Sequence, residues 1–153
     1  MNSPDAPAHR TGDPAVAAFG VFDLEQTFDS SGLYRLRETL AAHASRIGAD
    51  EDQIDSLLIV ASELATNAVR HGGGTGRLRL WHHDDRLHCQ VSDHGPGNLD
   101  PTAGSTLPGP QAGDGGRGLW ICRRLSTDFD IRSGPDGRGV TVTAVLAGTI
   151  RPR

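Results

Sequence analysis

The chain has 153 residues, 36% of them hydrophobic, and a formal net charge of −4, which fits one globular domain and disfavours nucleic acid as a partner, because such domains usually carry a basic stripe. All 15 basic residues are Arg, and the absence of Lys excludes Schiff-base lysine chemistry and the phosphate loop that needs a Lys after its glycines. Cys89 and Cys122 form no CxxC pair, the N-terminus has no basic start followed by an apolar core, and no apolar run approaches the roughly 20 residues of a membrane span; a cytoplasmic protein with free thiols is expected.

Residues 1–16 are rich in Pro, Ala and polar side chains and are expected to be a poorly ordered tail, with a single domain over residues 17–150. Residues 19–28 carry some apolar/polar alternation and read as a first strand. Ser30 or Ser31 is expected to cap a helix beginning near Gly32, whose Leu33, Leu36, Leu40 and Ala44 make one buried stripe before Gly48 ends it. Asp50, with Gln53 three residues on, has the form of a capping box opening a second helix that runs to about His71, where Gly72, Gly73 and Gly74 stop it. Ile54, Leu57, Leu58, Ala61, Leu64, Ala65 and Ala68 form its apolar face. Strands are expected over 77–83 and 87–93, joined by a hairpin turn at residues 84–86. Residues 94–116 hold many Gly and Pro without a period, a length of irregular chain that inside a small domain is often a functional lid. A third helix over about 117–125 and two strands near 129–132 and 140–147 complete the chain, with the turn between them at residues 134–137. The order β-α-α-β-β-lid-α-β-β implies an α/β (α+β) two-layer sandwich, with a mixed, largely antiparallel sheet and helices on one face.

Four stretches carry chemistry. Glu63, Asn67, Arg70 and His71 fall at i, i+4, i+7 and i+8, so they share one helix face beside the apolar stripe. A carboxylate, an amide oxygen and a guanidinium in one row suit a base, a hard cation and phosphate oxygens, although such a row alone is more often an ordinary polar face. Asp93 ends an apolar strand before Gly95-Pro96-Gly97, which is either a plain turn or a carboxylate beside a close-approach surface for a planar ligand. Gly115-Gly116-Arg117-Gly118-Leu119 leads into a helix whose first amides favour phosphate. Gly139-Val140-Thr141 enters the last strand, where a Thr is usually structural. Trp81, Trp120, Cys89 and Cys122 read as packing residues, and His82, His83 and His88 flank the hairpin on differing faces.

In order and spacing the four stretches resemble the GHKL ATPase/kinase superfamily with its Bergerat ATP-binding fold, over roughly residues 19–147. Within it they resemble the RsbW-like anti-sigma factor and serine/threonine kinase family of actinobacterial type, in which a Glu precedes the Asn by four residues. The resemblance implies ATP and Mg as cofactors, with Asn67 as the Mg²⁺ ligand and Glu63 as the base that activates a substrate hydroxyl. It implies that Asp93 bonds the adenine amino group, helped by Thr141, and that Gly95 and Gly97 shape the adenine wall. Gly116, Gly118 and Leu119 at the start of the third helix would hold phosphates, Arg70 and Arg117 would add positive charge there, and residues 98–115 would form the ATP lid. The expected partners are a sigma factor, an anti-sigma factor antagonist protein that is phosphorylated on Ser or Thr, and a second copy of the chain, with no membrane. Where many relatives carry an aromatic, this sequence has Thr143. Two other functions compete: a binding module that holds ATP only as a structural ligand and inhibits by occlusion, and the catalytic domain of a sensor histidine kinase, against which stands the lack of an upstream helical hairpin with a phosphoacceptor His.

Overall fold

A computed structural model describes residues 23–97, 99–109, 117–134 and 136–151. The tail expected over residues 1–16, and the first four residues of the strand expected from 19, lie outside them. The elements follow in the expected order: β1 (Leu24–Asp29), α1 (Leu33–Arg46), α2 (Glu51–His71), β2 (Thr75–His83), β3 (Arg86–Ser92), α3 (Arg117–Arg124), β4 (Ser126–Ser133) and β5 (Val140–Leu146).

Helix α2 begins as its sequence dictates. Asp50 Oδ1 accepts from the Gln53 amide at 2.8 Å, and Gln53 Oε1 accepts from the Asp50 amide at 3.1 Å, which satisfies two of the first-turn donors reciprocally. The entry to α1 differs from the expected Ser cap. The Asp29 carboxylate accepts from both the amide (2.9 Å) and the hydroxyl (2.7 Å) of Ser31, closing a single 3-10 turn over Ser30–Gly32, and Gly32 precedes α1 with no side-chain cap. A carboxylate is the stronger acceptor, so it takes the turn that either serine was expected to hold. The same two bonds hold the Asp29 carboxyl below its ordinary range.

The strands form one five-stranded sheet in the order β1-β2-β3-β5-β4. Among the described residues all four pairings are antiparallel, so the parallel component expected of a mixed sheet does not occur there. β4 runs in the same direction as β3, and β5 lies antiparallel between them. The β2–β3 turn is made by Asp84 (φ 52°) and Asp85 (φ 63°), a two-residue turn with the twist that a hairpin prefers.

Alternation sends Leu78, Leu80, Leu87, Cys89, Val91, Val142, Ala144 and Leu146 to the helix side, where they meet Leu36 and Leu40 of α1 and Leu57, Val60, Ala61, Leu64, Ala65 and Ala68 of α2 in one core. The opposite face carries in-register polar rows. One of them links four strands: Arg79 donates to Glu25 (2.9 Å) and Gln90 (3.3 Å), and Gln90 donates to Thr143 (3.1 Å). The expected aromatic-for-Thr143 difference thus falls on this face, away from the helices. Cys89 and Cys122 are buried free thiols, and burial pushes Cys89 up to about 12. Among the described residues no helix is long and apolar enough to cross a membrane.

Candidate functional site

Motif residues from α2, the end of β3 and the start of β5 converge on Asp93. The Asp93 amide donates to the Val140 carbonyl at 3.0 Å, and the Val140 amide returns to Asp93 Oδ1 at 3.2 Å. The Gly95 amide donates to the same Oδ1 at 2.9 Å, and the Gly139 amide donates to the Gly95 carbonyl at 2.7 Å. These bonds tie residues 93–95 to 139–140 through the backbone and the Asp93 carboxylate. Glycine is needed because the chains touch: a Cβ at Gly95 would stand 2.5 Å from Gly72 Cα, and a Cβ at Gly72 would overlap the Asp93 carboxylate. Oδ1 is thus committed to two amides, while Oδ2 lies against Gly72, with no hydrogen-bond partner among the described residues. Gly97 (φ 81°) sits against Gly137 and Arg138 of the β4–β5 turn, and the Ser133 hydroxyl donates to its carbonyl at 2.8 Å.

The second half of the site lies between α2 and α3. Glu63 and Asn67 are half-buried, and Arg70 is exposed in the last turn of α2. The Glu63 carboxylate rests against the first turn of α3, where a Cβ at Gly118 would overlap Oε1 and stand 3.0 Å from Cδ. Its charge is also felt one turn further on: burial first, and the Glu63 charge second, drive the Cys122 thiol far above its ordinary range. Arg117 opens α3 and is exposed, Leu119 is buried in the core at 4%, and Gly116 lies outside the described residues. The side chain of Leu119 is part of the core, with its Cβ beside Gly104.

Thr141 is not brought to this site. It pairs in register with Ser92 and Arg132, on the sheet face away from the helices, and its neighbour Val140 is the residue bonded to Asp93 and packed against the core. The period of two along a strand decides this, since a shift of one residue reverses the face. Val140 and Gly72 were not singled out in the sequence, because neither an apolar strand residue nor one glycine of three carries a signal of its own.

Of the lid expected over residues 98–115, residues 99–109 are described. Their first part is fastened to α3: Arg123 donates to the carbonyls of Ala103 and Pro101, both at 2.8 Å, and Leu99 and Ala103 pack on the core. The Arg123 guanidinium also lies 4.7 Å from the centre of the Phe129 ring. In the sequence Arg123 is indistinguishable from any surface arginine.

The arrangement places the Asp93 carboxylate among glycines at one end. At the other end it places the Glu63 carboxylate beside a helix start that carries Arg117, with Asn67 one turn further along α2. A purine with an exocyclic amine fits the first, and phosphates with a hard cation fit the second.

Residues 28–144 match the family model described as the histidine kinase-like ATPase domain. The serine-protein kinase RsbW of Bacillus subtilis is 32% identical over 127 residues, covering 74% of this chain and 78% of its own. RsbW of Bacillus velezensis is 34% identical over 131 residues, covering 76% and 79%. A chain of the SiaB–SiaC complex from Pseudomonas aeruginosa superposes with a TM-score of 0.62 over 95% of this chain and 100% of that one, and at 16% identity it supports the fold alone. The chain belongs to the histidine kinase-like ATPase family and, within it, to the RsbW-type serine-protein kinases.

Proposed function

We propose that the protein binds Mg·ATP between α2, the 93–97 loop and the start of α3, and transfers the terminal phosphoryl group to a Ser or Thr of a small antagonist protein. In the alternative engaged state it sequesters a sigma factor, and phosphorylation of the antagonist selects between the two partners. The observation that carries the reading is the seating of the Glu63 carboxylate against the first turn of α3. A base and a phosphate-binding turn are then neighbours, which is what an in-line attack by a hydroxyl requires.

Each residue has one task. Asp93 Oδ2 accepts from the adenine amine, and Gly95 and Gly97 keep the wall beside it flat. Asn67 would hold Mg²⁺ through its amide oxygen, and the bound ion would neutralise phosphate charge. The amides at the start of α3, with Arg117 and Arg70, hold the phosphates. Glu63 takes the hydroxyl proton as the oxygen attacks. Thr141 and the side chain of Leu119 have no part in the pocket.

Incubation of the protein with γ-labelled ATP and purified candidate antagonists tests this. Label on a Ser or Thr of an antagonist, lost in Glu63→Ala, is the expected result. Tight ATP binding with no transfer to any antagonist would replace the kinase with a module that inhibits by occlusion.

A further inference from the structure

Sequence reading gives Gly118 one reason to be a glycine, close approach to phosphate. The structure gives it another. The direction in which a side chain at 118 would leave α3 is occupied by the Glu63 carboxylate, since a Cβ there would overlap Oε1, stand 3.0 Å from Cδ and 3.5 Å from Cγ. Glu63 is half-buried and its carboxylate ends a flexible side chain, so a methyl group at 118 displaces the carboxylate rather than the helices. The backbone around Gly118 is fixed independently. Leu119 is in the core, Cys122 Sγ lies 3.9 Å from the Val60 carbonyl of α2, and Arg123 holds the chain at Pro101 and Ala103. With both helices held, a methyl group at 118 and the carboxylate of Glu63 compete for one volume.

The geometry points to Gly118 as the positioning residue for Glu63: its missing side chain is the slot that seats the base beside the phosphate-binding turn. This rests on the kinase reading for its catalytic meaning, but the contact itself exists without nucleotide. It also differs from a phosphate role in a way that can be measured. A glycine needed for phosphate matters whatever stands at 63. A glycine needed to seat a carboxylate matters only while the carboxylate is there.

The experiment is a double-mutant cycle on the full chain: wild type, Gly118→Ala, Glu63→Ala, and the double variant. Thermal unfolding is read without nucleotide, ATP affinity by calorimetry, and phosphoryl transfer to an antagonist by label. The change in Tm caused by Gly118→Ala is expected to be less favourable with Glu63 present than in the Glu63→Ala background, where no carboxylate has to move. Gly118→Ala is expected to lower transfer more than tenfold while the ATP dissociation constant changes less than threefold. In the Glu63→Ala background it is expected to leave the residual transfer unchanged. Equal Tm changes in both backgrounds, or a tenfold loss of ATP affinity in both, would overturn the assignment and return Gly118 to phosphate binding. Should Gly118→Ala fail to fold, a folded double variant supports the slot, and an unfolded one refutes it. If no variant, wild type included, transfers phosphate, the kinase reading fails, while the Tm cycle still decides the contact.

Discussion

The two ends of the site are built from different materials. At Asp93 the structure is mainly backbone on backbone: three hydrogen bonds, one of them to the Asp93 carboxylate, join 93–95 to 139–140, and Gly72 and Gly95 bring the end of α2 into contact with them. At Glu63 one flexible side chain leans on one helical turn, and the chain before that turn is held at residues 101–103 by Arg123. The first end is rigid because each displaced amide would lose a bond and each added methyl group would meet backbone. The second can change with the side-chain conformation of Glu63. In the proposed function, binding is thus assigned to a fixed element and transfer to an adjustable side chain.

Substitutions can break this contrast from either side. The largest expected effect is on Glu63→Ala, which loses about 10²–10⁴-fold in phosphoryl transfer at saturating ATP, measured in a single turnover, while calorimetry shows ATP bound within threefold of wild type. Next is Asp93→Ala. A bond to a charged acceptor is worth about 1.5–3 kcal/mol, so ATP affinity falls roughly 10–150-fold by calorimetry. The variant also strands the Gly95 and Val140 amides, so urea unfolding should show about 1–3 kcal/mol less stability. Asp50→Ala, remote from both ends, removes the α2 cap and costs about 0.5–2 kcal/mol in urea unfolding with ATP affinity unchanged. The smallest effect sharpens the assignment of faces: Thr141→Val should leave ATP affinity within twofold of wild type, because residue 141 lies in the row of Ser92 and Arg132. A tenfold loss there would put its hydroxyl back in the pocket.

The sequence made the elements legible where a local signal was strong. The Asp50–Gln53 box, the glycine stop after His71 and the period of Leu57, Ala61, Leu64 and Ala68 defined α2 in full. The β2–β3 hairpin was equally plain, and β4 was found short, because Ser126 and Asp128 carry no strand signal and pair there only through β5. Sheet order was not legible, since nothing local says that β5 inserts between β3 and β4. Within the candidate site, motif residues Asp93, Gly95 and Gly139 meet one another and Glu63 meets Gly118, while Thr141 lies on the sheet face opposite to its neighbour Val140. The contacts of Gly72 and Arg123 arise only when distant segments meet, so no window of sequence contains them.

The central claim is that binding resides at Asp93 and transfer at Glu63. Single-turnover transfer of label from ATP to an antagonist protein, with each variant saturated by its own measured dissociation constant, tests it most directly. The account predicts that Asp93→Ala, once saturated, transfers at a rate within about threefold of wild type, while Glu63→Ala at saturation remains at least 100-fold slower. Equal losses in the two saturated variants would contradict it.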